Sequence, residues 1–211
     1  MTDFLALPAG PLADTILATV RGSESPSVAN HSIRSFLFAR LFAEHEGCLD
    51  DPAYDAGLLF AATVLHDLGV GTLAPGRARF EVEGADLAAE LLTGQGVAAS
   101  DVDRVWEAIA LHTSPGIAER RGLLTYLTRE GVGIDFGRNA HVVADRHEGI
   151  HERHPRLAMV PSLVDAIVAH AARAETTTAP RYSIAGELVR ERREAGVTTL
   201  ERAAADCPWG D

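Results

Sequence analysis

The eight residues Leu-Leu-Phe-Ala-Ala-Thr-Val-Leu at positions 58–65 are the most apolar stretch of the chain, and they run directly into two polar neighbours, His66 and Asp67. Residues 54–68 are too long and too rich in alanine for a strand, and the spacing predicts a buried helix stopped by Gly69 as its C-cap. A carboxylate at the end of such a helix is costly to bury unless something compensates it. A divalent cation does so, because imidazole nitrogen and carboxylate oxygen are both good ligands for Zn, Mn, Fe or Ni. Neighbouring helical residues project about 100° apart, which suits adjacent positions around one ion.

The rest of the chain also reads as helix. Ile16, Leu17 and Val20 predict a short first helix ending near Gly22. His31, Ile33, Phe36, Leu37, Leu41 and Phe42 then recur at helical spacing, with Asn30 or Ser27 as N-cap. Residues 71–79 read as a loop turning at Pro75-Gly76. Helices are expected over 83–93 and from Ser100 onward, the latter with Val102, Val105, Trp106, Ile109 and Ala110 on one face. The interval 116–133 is less regular, with a short helix around 123–127. A helix from Asp135 to His151, an amphipathic segment over 160–174, a linker at 176–180 and a last helix over 184–194 complete the pattern. No alternating β run exists, so the expected fold class is all-α. The expected organisation is an N-terminal extension (1–25), a main domain (26–175), and a linker and helix (176–211) packed on that same domain.

Charge and composition exclude several classes. The 19 basic residues are all arginine and face 30 acidic ones, for a net charge of -11, which argues against a broad nucleic-acid surface. Without lysine, Schiff-base chemistry and a P-loop are ruled out. Cys48 and Cys207 are isolated, offering neither a zinc knuckle nor a disulfide framework, and a cytoplasmic location is expected. No segment approaches 18 uninterrupted apolar residues, so no membrane partner is expected. A homo-oligomer is compatible with the sequence.

His31 and Asp135 offer further metal ligands from the starts of two other helices, and two His with two Asp would leave positions open for water or substrate. Together, Asn30-His31-Ser32-x-Arg34, the block Leu65-His66-Asp67-Leu68-Gly69 and the downstream Asp resemble the HD-domain superfamily. NHSIRSFLFA, RFEVEGADLA, VWEAIALHTS, REGVGIDFGR and the later HPR are similar to its cyanamide hydratase branch, in the right order over most of the chain. The resemblance implies a helical bundle around one divalent ion, zinc first and Fe, Mn or Ni as alternatives. The implied ligands are His31, His66, Asp67 and Asp135, with His112 beside the ion. Two-metal relatives need two more His between the His-Asp pair and the final Asp, whereas this interval holds only His112.

The implied reaction is addition of water to a small nitrile, cyanamide to urea being the reference, through metal-activated hydroxide with Asp67 at the centre. His112 or Glu81 would carry a proton to the nitrile nitrogen, and Arg34 and Phe80 are candidate substrate contacts. The runner-up is a phosphohydrolase acting on a nucleotide or another small phosphate ester, with Arg34, Arg77 and Arg79 as anion contacts. A metal-stabilised module without turnover is a third class. Plainer readings stand beside each residue: Asp135 as a helix N-cap with Asp145 as rival ligand, His112 as a core histidine, Glu81 as the partner of Arg79 or Arg34, and Arg34 as the holder of a ligating carboxylate. His141, His147, His151 and His154 invite a second ion, but their helix reads as solvated.

Overall fold

A computed structural model describes residues 3–210. The architecture is all-α, with no strand among the described residues. Among the described residues, no helix is long and apolar enough to cross a membrane.

Helix α1 (Pro11–Ser23) leads into the long α2 (Pro26–His45), whose first turn is set by Pro26 and by the Ser25 hydroxyl accepting from the Val28 amide. The cap therefore lies upstream of both expected candidates, and His31 sits in the second turn instead of at the start. Asp55 caps α3 (Ala56–Leu65), accepting from Gly57 N at 2.8 Å and Leu58 N at 2.9 Å. Every α3 residue from Leu58 to Leu65 is buried. This helix is thus the centre of the main core, enclosed by α1, α2, α5 (Ala99–Leu111) and α6 (Leu123–Asp135).

Gly69 is not the left-handed cap that the sequence suggested. The helix ends at Leu65, and a single 3-10 turn, Leu68–Val70, follows the His-Asp pair. What requires glycine is the approach of α4 (Phe80–Gly94). A Cβ on Gly69 would overlap the Phe80 carbonyl, and one on Gly84 would lie 3.1 Å from the His66 carbonyl oxygen. The two glycines bring α4 against the turn carrying Asp67. Gly69→Ala is expected to destabilise by about 1–3 kcal/mol, read by denaturant unfolding, because a backbone carbonyl cannot step aside. A change within experimental error would refute the close-approach reading.

The largest departure from the expected pattern is α6. One continuous helix covers Leu123–Asp135 where a short one was expected, and Asp135 ends it instead of opening the next. Beyond it lie α7 (His147–Arg153), α8 (Met159–Ala171), the single turn α9 (Glu175–Thr178), α10 (Ile184–Ala195) and the unexpected α11 (Thr199–Ala205), which Thr198 and Glu201 start with a capping box. Helices α8, α10 and α11 form a second apolar cluster with Val28 and Phe80. Tyr182, just before α10, is 86 % exposed with φ 67°. A left-handed non-glycine residue costs about 1–2 kcal/mol, so Tyr182→Gly is expected to be neutral or stabilising by up to about 1 kcal/mol. A clear loss on thermal or urea unfolding would contradict this.

Candidate metal centre

His66 and Asp67 leave α3 together and meet His31 from α2. The Nε2–Oδ2 distances are 3.1 Å from His66 to Asp67 and 3.7 Å from His31 to Asp67, and one ligand atom from each residue lies within 4.8 Å of the others. All three side chains are at most 2 % exposed.

Hydrogen bonding behind the rings decides what faces inward. His66 Nδ1 lies 2.8 Å from the Thr63 carbonyl, and His31 Nδ1 lies 2.6 Å from Asp135 Oδ2. Both partners only accept, so each Nδ1 carries a proton, and Nε2 is the atom that each neutral ring turns inward as a lone pair. Asp67 Oδ2 is a third lone-pair donor in the same space, and among the described residues neither it nor His31 Nε2 has a hydrogen-bond partner. Three converging buried lone pairs fit a divalent cation. Burial and the Asp67 charge oppose one another at His66, and the carboxylate prevails, raising it. Burial likewise works against Asp67, but the flanking His66 and His31 hold it far below the usual carboxylate range.

Asp135, expected as the fourth ligand, is placed elsewhere. Its carboxylate accepts from Arg34 Nε at 2.8 Å and Nη2 at 2.7 Å, from Arg156 Nη1 at 3.2 Å, and from His31 Nδ1. With both oxygens saturated, it lies behind His31 and not among the converging atoms; such a carboxylate fixes the tautomer and orientation of a ligating imidazole. The geometric reason is the face of α6. Arg129, Val132, Gly133 and Phe136 point into the cavity, while Asp135 points toward α2. Arg34, one turn beyond His31, is fully buried and does not line the cavity, which corrects its expected contact with substrate and leaves the carboxylate-holding alternative. Arg34 Nη1 also donates to the carbonyls of His154 and Pro155, and Arg156 Nη1 donates to the Asp135 carbonyl, so the HPR segment closes this network with both its backbone and its arginine. Asp145, the rival ligand, is exposed by the C-terminal end of α2 beside Glu44 and His45.

His112 is buried 4.8 Å, ring centre to ring centre, from His66. Its Nδ1 donates to the Ile109 carbonyl at 2.6 Å, which leaves Nε2 as an acceptor on the cavity side. Burial, helped by the His66 ring, pushes His112 down to about 4, so it is neutral near pH 7. Phe80 stands edge-on to it at 5.9 Å and lines the cavity. Glu81 does not line it. Its carboxylate is occupied by Arg79 at 2.6 Å and by the Thr113 hydroxyl at 2.7 Å; burial raises it, but those bonds prevail and keep it ionised. Glu81 therefore reaches the cavity only through Thr113.

The cavity has a volume of about 320 Å³. Sequence reasoning missed most of its wall: Thr113, Arg129, Val132, Phe136, Arg138 and, from the C-terminal helices, Leu163, Ile167, Ile184 and Leu200. Thr113 had a signal, standing next to His112 in the VWEAIALHTS block; the C-terminal wall had none. Trp106 belongs neither to the core nor to the cavity, being 36 % exposed with its indole nitrogen donating to Asp86 at 2.8 Å. His147 and His151 do share a face, but it packs on Trp209 instead of facing water.

No curated protein matches this chain. The family described as HD domain matches residues 28–199, a span that contains His31, the His66-Asp67 pair, His112 and Asp135 as well as α8 and α10. The chain belongs to the HD-domain family, whose members are largely metal-dependent hydrolases.

Proposed function

We propose that this chain is a metal-dependent hydro-lyase that adds water to a small uncharged nitrile, cyanamide serving as the reference substrate. His31, His66 and Asp67 hold the ion, zinc in the first instance. A divalent ion supplies two things to such a site, a lowered pKa for bound water and polarisation of the nitrile nitrogen.

The residues of the chain do the rest. Asp135 and the Thr63 carbonyl keep both ligating rings in the tautomer that turns Nε2 inward. His112 is neutral, with Nε2 open to the cavity, so it can take a proton from water and return it to the nitrile nitrogen. Phe80 and the apolar wall exclude competing water.

The observation that carries this reading over phosphate-ester hydrolysis is the state of the two cavity arginines. Arg129 is paired with Glu119 at 2.7 Å and Arg138 with Glu130 at 3.1 Å. Neither offers an uncompensated charge to a phosphate, whereas a neutral nitrile needs none. Purified, metal-analysed protein is expected to release urea from cyanamide and no phosphate from a nucleotide panel; phosphate without urea would overturn the reading. His112→Gln is expected to lower kcat by about 10²-fold or more with metal content unchanged. Unchanged kcat would remove His112 from the reaction.

A further inference from the structure

The size and lining of the cavity say more about the substrate than the reaction does. Its floor is the His31, His66 and Asp67 group, and above it stand Val132, Phe136, Leu163, Ile167, Ile184 and Leu200. At about 320 Å³ it offers room for about ten water-sized groups, and sits at the lower end of pockets that enclose whole organic ligands. A three-heavy-atom molecule such as cyanamide would fill only a small part of it. Ile184 is 36 % exposed at the start of α10, an aliphatic side chain left facing water beside the cavity it lines. Among the polar side chains above the floor, Thr113 is bonded to Glu81, and Arg129 and Arg138 are charge-paired with their glutamates, Arg138 keeping an unpartnered Nε among the described residues.

From this we infer that the substrate carries an aliphatic or aromatic body, uncharged, which lies along the wall built by α6, α8, α10 and α11 while its reacting group meets the ion. The inference rests on the metal site of the proposed function but not on nitrile chemistry. On this view the C-terminal helices are part of the binding site: α8, α10 and α11 supply four of the six wall residues named.

The test is a straight-chain series of alkyl hydroxamates, from acetohydroxamate to octanohydroxamate, titrated calorimetrically into the zinc-loaded protein. The hydroxamate anchors each member at the ion, and the chain reports the wall. The dissociation constant is expected to fall about three- to fourfold for each added methylene until the cavity is filled. A flat series, or one that weakens with length, overturns the inference. In Leu200→Asp, a change at a half-buried wall position, the gradient is expected to flatten; an unchanged gradient would place the alkyl chain elsewhere and also overturn it. The two proposals fail separately. A gradient with no amide formed from cyanamide or from an alkyl nitrile of matching chain length leaves the substrate class standing and sinks the hydration chemistry, and hydration without a gradient does the reverse.

Discussion

Replacing Arg34 with alanine is expected to destabilise the protein by about 3–5 kcal/mol, the largest loss of stability foreseen for a single residue. Arg34 is fully buried and forks onto both oxygens of Asp135, itself fully buried. The Arg34 charge holds the Asp135 carboxyl well below its ordinary range against a burial that pushes it up. Without Arg34, Arg156, His31 and His151, the last at 3.7 Å, are left to compensate that charge, two carbonyls of the HPR segment lose a donor, and a guanidinium-sized void opens. Lysine is expected to recover a minor part, since an ammonium cannot reproduce the bidentate fork. Urea unfolding of the three proteins checks this. A loss below about 1 kcal/mol, as for surface ion pairs, would show that Asp135 is not dependent on Arg34. Had Arg34 contacted substrate, its removal would instead raise KM and leave stability near wild type.

The second large effect is chemical. Asp67→Asn is expected to bring the metal content from about one ion per chain to background and to cut activity by at least about 10³-fold. The helices should persist, because the substitution removes a buried charge whose Oδ2 has no hydrogen-bond partner and keeps nearly the same shape. Compared without metal, the variant is expected to stay folded but to be less stable than the wild type at neutral pH, because it loses the attraction of His66 and His31 that holds Asp67 ionised. Metal analysis, far-UV circular dichroism and unfolding of both metal-free proteins separate the outcomes. Collapse of the helices would favour a metal-stabilised module without turnover. Retained stoichiometric metal would remove Asp67 from the ligand set.

Much of this was legible from residue patterns. The buried helix over residues 58–65, its polar ending at His66-Asp67, and the placement of His31 on a neighbouring helix all follow from local rules, since periodicity and the cost of an uncompensated carboxylate act at short range. Asp135 was harder. The GVGIDFG segment contains three glycines and reads as a helix start or a break, yet α6 runs through two of them. Gly131 is needed there because α2 packs so closely that a Cβ would overlap the Ser35 carbonyl. Helix propensity was overridden by packing, and with the boundary went the face of Asp135.

By itself the sequence determined an all-helical chain with two imidazoles and a carboxylate disposed to bind one ion, because spacing along a helix dictates which neighbours share a direction. Only the tertiary structure decided that Asp135 stands behind His31 and not beside it, that Arg34 holds that carboxylate, and that Glu81 stops at Thr113. It alone also brought α8, α10 and α11 over the ion as an apolar wall. Those outcomes depend on which helix faces meet across as many as 169 residues of chain, between His31 and Leu200, and no local pattern encodes an interface whose two sides lie that far apart.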